Sequence, residues 1–184
     1  MGFFELVVIA IGVSMDAFAV SICKGMSVSA VKPKHVVSVG IWFGGFQALM
    51  PLIGYFAGIS FADLVSSVDH WIAFILLGFI GFGMIKESRE ADEHIDPDFS
   101  IRTMLAMAVA TSIDALAVGV SLAFLRVDIL SAVLLIGITT AVFSMAGVRI
   151  GNVFGSRCRS AAELLGGFIL IFMGVKILIE HTLF

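Results

Sequence analysis

Charged residues are scarce in this chain. Only 14% of the 184 residues are Asp, Glu, Lys or Arg, whereas 60% are hydrophobic. A water-soluble domain of this length must cover its surface with more polar side chains than that. The low charge content therefore excludes an ordinary soluble domain, and no nucleic-acid partner is expected.

Cysteine is also scarce, and several motifs are absent. Cys23 and Cys158, the only two cysteines, form no CxxC pair and indicate neither a disulfide framework nor a zinc site. The sequence contains no P-loop, so ATP hydrolysis by this chain is not expected. The N-terminus has no basic stretch, so its apolar run is predicted to be a retained span rather than a cleaved signal peptide.

The long apolar runs that are present predict six membrane-spanning helices, the third of them short. Lipid cannot satisfy the edge of an open sheet, and apolar runs of about 20 residues are not typical of barrel strands. Pro51 and the Gly44-Gly45 pair predict a kink or a break in the second span. The predicted spans are Phe3–Cys23, Val36–Ile59, His70–Ile85, Thr103–Leu125, Ile129–Val148 and Ala161–Ile179. We therefore expect an all-α integral membrane protein.

The basic residues are distributed unevenly between the two sides of these spans. Nine of the eleven fall in or beside the first, third and fifth loops, and two fall on the opposite side. By the positive-inside rule the first, third and fifth loops are cytoplasmic, which places both termini outside the cytoplasm.

The two halves of the chain resemble each other. SMDAFAVSI (14–22) aligns with SIDALAVGV (112–120), and IGYFAG (53–58) aligns with IGNVFG (150–155), in the same order. We predict a first three-helix repeat in 1–87, an acidic cytoplasmic linker in 88–100 and a second repeat in 101–184. Three spans in each repeat make the second repeat inverted, which is an architecture of secondary transporters. The GxxxG glycines allow close helix contacts within one chain or between the copies of a homo-oligomer.

Each repeat carries one aspartate inside an apolar span. Asp16 and Asp114 fall near the bilayer centre, where a charged carboxylate costs roughly 2.5–3.5 kcal/mol on insertion scales. Such residues usually mark ion pathways, and the alternative is two protonated aspartates hydrogen-bonded across a helix interface. Two carboxylates balance one divalent cation, and oxygen ligands suit Mg, Ca and Mn. Exchange of the metal for protons at this pair would couple transport to a proton gradient.

Other oxygen atoms in the spans are candidate metal ligands, although a membrane Ser or Thr more often serves helix packing. The candidates are Ser14, Gln47, Thr111, Ser112 and Ser144. Glu163, which opens the sixth span, is either part of a gate or a solvated boundary residue. No Cys or His cluster lies at the midplane, which argues against a thiolate site selective for zinc or copper.

Several segments resemble the MntP-type manganese efflux pumps of bacteria. They are MDAFAVS and IDALAVG around the aspartates, MPLIG in the second span, HWIAF in the third and AELLGGFILIFMGVKIL in the sixth. The resemblance runs end to end. It implies a transporter, not an enzyme, that exports Mn²⁺ from the cytoplasm across the inner membrane without a cofactor, with Asp16 and Asp114 binding the metal. Gln47 departs from relatives that carry a glutamate at this position.

The residues alone leave other functions open. An exporter of another divalent metal or of a cationic amino acid would also use intramembrane acids. The amino-acid exporter should need a group that binds the substrate carboxylate, and no midplane Arg or Lys is evident. An intramembrane aspartyl protease is a remote alternative, because such enzymes carry Tyr-Asp and Gly-x-Gly-Asp motifs, whereas Met15 and Ile113 precede the aspartates here.

Overall fold

The computed structural model describes residues 2–65, 69–87, 99–125 and 127–154 and, towards the C-terminus, residues 164–165, 167–172, 174–176 and 178–179. Every regular element in these ranges is a helix. The elements are α1 (Phe3–Met26), α2 (Pro33–Val65), α3 (Asp69–Glu87), α4 (Ile101–Thr111), α5 (Ile113–Phe124), α6 (Ile129–Phe154) and a last apolar helix, α7 (Gly167–Lys176). The predicted all-helical class is confirmed.

Three of the helices are long and apolar enough to cross a membrane. They are α1, the part of α2 from Pro33 to Ser60, and the part of α6 from Ile129 to Val153. The pair α4 and α5 passes the same test as one bent span, with an angle of 41° between its halves. Lengths and compositions of this kind are those of a multi-pass membrane protein.

The helix break lies in the predicted fourth span and not in the second. α2 runs as an α-helix through Gly44, Gly45 and Pro51, so of the kink or break predicted there the break is absent. α4 instead ends at Thr111, and Ser112 leaves the helical conformation with φ −106° and ψ 4°. The Ser112 hydroxyl donates to the carbonyl of Val109 at 3.1 Å. Such side-chain bonds compete with the helical ladder and bend membrane helices.

Two helix pairs are held together at unusually close range by glycines. α1 packs on α6, where a Cβ at Gly151 would lie 1.9 Å from the carbonyl oxygen of Ile22. α2 packs on α5, where a Cβ at Gly119 would lie 2.1 Å from the carbonyl oxygen of Pro51. In both pairs a second glycine faces the partner backbone from the other side, Gly25 on α1 and Gly54 on α2. Backbones at this distance tolerate no side chain between them.

At the contact between α2 and α6, glycines of each helix also face alanine side chains of the other helix. Here a Cβ at Gly44 would meet the Cβ of Ala141 at 2.7 Å, and a Cβ at Gly137 would meet that of Ala48 at 2.9 Å. The same Cβ at Gly44 would also lie 2.8 Å from the carbonyl oxygen of Gly137, so methyl groups as well as backbone meet the glycines here. A groove of about 350 Å³ runs along the outside of this contact. The α1–α6 and α2–α5 pairs therefore meet at a contact with an unfilled outer edge.

Apolar side chains form two separate clusters. One includes Leu6, Ile9 and Val13 of α1 with Val118 and Leu122 of α5. The other consists of Ala17, Val36, Val39, Phe43, Met104, Ala108 and Val148. On the fourth span the clusters divide at the helix break, next to Asp114. α1 contributes to both clusters around Asp16, with Met15 and Ala19 in the first and Ala17 in the second.

The ends of four helices meet on the side of the second cluster. The Asn152 amide of α6 donates to the carbonyl of Val28 beyond α1 at 2.8 Å. Phe99, before α4, stacks on His35 of α2 with 4.3 Å between ring centroids, and the Lys24 ammonium lies 4.8 Å from the same ring. Lys24 was expected in the first loop, but its side chain is fully buried here in the last turn of α1. At the opposite end of α1, Glu5 forms an ion pair with Lys176.

Because α2 and α5 are in close contact, one methyl group added between them is expected to lower the stability of the protein strongly. Gly119→Ala should lower the free energy of unfolding by about 1–3 kcal/mol or more, because the atom that the new Cβ meets is backbone. Gly45→Ala is the matched control, since no atom lies within 4 Å of its Cβ position. Its helix should be unchanged or up to about 1 kcal/mol more stable. Thermal unfolding in detergent measures both, and equal effects would contradict the packing described here.

Candidate metal-binding site

Asp16 and Asp114 open into one cavity. Its volume is about 310 Å³, and both carboxylate side chains are half-buried. The remaining described lining is apolar and comes from α3, α4 and α5: Phe79, Ile80, Gly83, Ala110, Ile113 and Ala117. The cavity is thus lined by one carboxylate from each half of the chain.

The helix break positions Asp114. This residue lies in the first turn of α5, directly after the bend at Ser112. Its Oδ1 accepts a hydrogen bond from the backbone N–H of Ala115 at 2.7 Å. A carboxylate at a helix N-terminus is favoured by the helix dipole and by backbone N–H groups that have no helical acceptor. The bend therefore compensates part of the cost of a negative charge among apolar side chains.

A hydroxyl pair fixes the rotation of α1 and with it the direction of Asp16. The Ser14 hydroxyl donates to the carbonyl of Ala10 at 2.6 Å and lies 2.8 Å from the Thr140 hydroxyl of α6. Both residues are fully buried. Residues two apart on a helix point in nearly opposite directions. Because Ser14 faces α6, Asp16 is turned away from α6 and towards the cavity.

Three of the predicted hydroxyl ligands are already engaged. Ser14 bonds to Thr140 and Ala10, Ser112 donates to Val109, and the Thr111 hydroxyl donates to the carbonyl of Ala108 at 3.3 Å. None of the three is part of the described lining of the cavity. In this conformation their hydroxyls hold helices rather than face the aspartates.

Gln47 and Ser144 differ from these hydroxyls. Both are fully buried, and the Gln47 amide nitrogen donates to the carbonyl of Val13 at 3.0 Å. The Gln47 Oε1 and Ser144 Oγ atoms have no hydrogen-bond partner within the described part of the chain. Because Pro51 has no N–H, the backbone carbonyl of Gln47 also lacks its usual helical donor. Three oxygen atoms are therefore available in the bundle interior, outside the described cavity lining.

Glu163, the predicted gate or boundary residue, lies outside the described residues. Thr140 was not predicted, although it lies four residues before Ser144, on the same face of α6. Across the described ranges, no group of three or more His, Cys, Asp or Glu side chains comes together. A metal here would be held by two carboxylates and neutral oxygens.

Comparison with known proteins identifies the family. Residues 30–178 match the family described as "Putative manganese efflux pump". The chain belongs to the MntP manganese efflux pump family. A relative of that name from Acetivibrio thermocellus is 56% identical over 183 residues, which cover 98% of this chain and 92% of the relative. One from Campylobacter jejuni strain RM1221 is 58% identical over the full length of both. No solved structure matches the chain.

Membership of the MntP family agrees with the site. MntP proteins are transporters and not enzymes, and manganese is the cargo rather than a resident cofactor. Carboxylate oxygens are ligands that suit Mn²⁺. The two carboxylates of the cavity are therefore suitable ligands for the metal in the family's name.

Proposed function

We propose that this chain exports Mn²⁺ from the cytoplasm by secondary active transport, with Asp16 and Asp114 as the metal-binding carboxylates. The observation that carries the proposal is the cavity into which both side chains open. Two carboxylates neutralise one divalent cation. A cationic amino acid is less well matched, because the described lining contains no basic side chain to bind its carboxylate.

The helix contacts support two inverted repeats, 1–87 and 101–184, joined by the linker 88–100. The first helix of the first repeat, α1, packs on α6 and against Leu170 of α7. The first span of the second repeat, α4 with α5, packs on α2 and α3. Each first helix thus contacts the second and third helices of the other repeat, as a pseudo-two-fold axis requires. The glycines that make these contacts act within one chain, so the contacts need no second copy.

Each aspartate belongs to a different helix pair. Asp16 is on α1, which is held to α6, and Asp114 is on α5, which is held to α2. The pairs meet mainly at the contact between α2 and α6, which the groove borders. We propose that transport moves the α1–α6 pair relative to the α2–α5 pair along this contact. Such a motion changes the separation of the two carboxylates, and with it the affinity for the metal.

Proton coupling follows from the same pair. A carboxylate binds either the metal or a proton, so protons that enter from the outside can displace the metal and neutralise the empty site. Gln47 and Ser144 are proposed to supply oxygen atoms to the ion after the helix pairs have moved. Ser14, Thr111 and Ser112 keep supporting roles, and Glu163 is proposed to lie on the exit path or at a gate. We propose that the protein lies in the inner membrane with both termini outside the cytoplasm, and the basic residues around the Phe99 end of the bundle support this orientation.

The proposal is tested by Mn²⁺ uptake into inside-out membrane vesicles with an acidic lumen. Asp16→Asn and Asp114→Asn should each reduce uptake by about tenfold or more, because a metal ligand is lost. Collapse of the proton gradient should slow the wild type. Lysine and other divalent cations are offered to the same vesicles, and transport of lysine in place of Mn²⁺ would identify the wrong substrate.

Asp128→Asn is the matched control for this experiment. Asp128 is exposed before α6, where hydrogen bonds from the Ser131 hydroxyl and backbone N–H lower the pKa of its carboxyl. Asn is an equally good residue at a helix start. This variant should transport as the wild type does. If Asp16→Asn or Asp114→Asn at equal membrane abundance also transports normally, the proposed carboxylate site is wrong.

A disulfide across the α2–α6 contact should stop transport, whereas one within the α2–α5 pair should not. In a chain with Cys23→Ala and Cys158→Ser, the first bridge joins Ala48→Cys to Gly137→Cys and the second joins Gly58→Cys to Ala123→Cys. The Cβ separations are nearly equal, 2.9 and 2.8 Å, so each bridge must widen its contact by about 1 Å. Reduction should restore transport to the first variant. Full activity of the oxidised first variant would contradict the proposed motion.

A further inference from the structure

The two aspartates cannot complete the coordination of a divalent ion in the cavity. Mn²⁺ prefers about six oxygen ligands in octahedral geometry. The carboxylates of Asp16 and Asp114 supply two oxygens if each binds through one atom and four if each binds through both. The rest of the described lining consists of apolar side chains and a glycine, such as Ile80, Gly83 and Ala117. Roughly two to four positions around the ion are therefore left for ligands other than side chains of this lining.

In this conformation the predicted neutral ligands among the described residues do not fill these positions. The hydroxyls of Ser14, Thr111 and Ser112 are committed to carbonyls of their own helices. Gln47 and Ser144 are buried outside the described lining. These two side chains could reach the ion only after the proposed motion of the helix pairs, so they are not ligands when the ion first enters the cavity.

The cavity has room for water beside the ion. Its volume is about 310 Å³, and one water occupies about 30 Å³ in the liquid. The cavity can therefore hold a cation together with several waters, whose oxygen atoms would bind the metal. The carboxylate oxygens that do not contact the metal could accept hydrogen bonds from these waters.

We infer that the Asp16–Asp114 cavity takes the divalent cation in a partly hydrated form, with water supplying about two to four of its ligands. This inference rests on the proposed function and adds the chemical form of the cargo. The ion loses only part of its hydration shell when it binds, so entry needs no further protein oxygen. Mg²⁺, which usually keeps several waters and binds through one or two carboxylates, is then a competitor that the site excludes poorly.

Mn²⁺ is paramagnetic, so the water ligands can be counted directly. The full-length chain in lipid nanodiscs is loaded with Mn²⁺ alone in D₂O, and electron spin-echo modulation from deuterium gives the number of exchangeable waters on the bound ion. Two to four waters are expected for the wild type. Asp128→Asn should give the same number, and Thr111→Val should not raise it, since the Thr111 hydroxyl is not a ligand.

Each other outcome has a distinct meaning. Bound Mn²⁺ with no exchangeable water or one would overturn the inference while leaving the carboxylate site intact. Six waters, as on the free ion, would mean that no carboxylate contacts the metal directly and would also overturn it. No binding by the wild type would overturn the proposed metal site itself. Loss of binding in Asp16→Asn, with binding kept in Asp128→Asn, ties the counted waters to this cavity.

Discussion

The architecture depends on keeping two carboxylates inside an apolar helix bundle. A buried charge is tolerated only where other groups compensate it. For Asp114 the compensation is local. The helix breaks at Ser112, so Asp114 lies in the first turn of α5 and its carboxylate accepts a hydrogen bond from the backbone N–H of Ala115. Asp16 opens into the cavity that it shares with Asp114, where two negative charges repel each other. In the proposed function a divalent cation bound between them offsets this cost.

The glycine contacts serve this requirement. Close packing of α1 on α6 and of α2 on α5 divides the core into two pairs, each of which carries one carboxylate. The contact between the pairs is made by small side chains and is bordered by a groove. The motion proposed for transport takes place along this contact, between the two pairs.

Sequence patterns predicted the helical class and the membrane location, because apolar length is a local signal. The metal-binding role of Asp16 and Asp114 also follows from a local signal, a charge in an apolar run, and it stays a prediction. The break at Ser112 was not predicted, since its sequence neighbours resemble those of Ser14, which lies within an unbroken helix. The expected break at Pro51 is absent, because α2 remains helical against α5 there. The roles of Thr140 and of the α3 residues that line the cavity depend on contacts between distant segments. No periodicity in the sequence reports such contacts.

The central claim is that one metal ion is bound by Asp16 and Asp114 together. Anomalous diffraction at the manganese absorption edge, from crystals of the chain grown with Mn²⁺, locates the ion without assumptions about its ligands. The account predicts one strong peak in the shared cavity, within direct coordination distance of a carboxylate oxygen from each aspartate. A peak bound by only one of them, or a peak elsewhere in the bundle with the cavity empty, would contradict it.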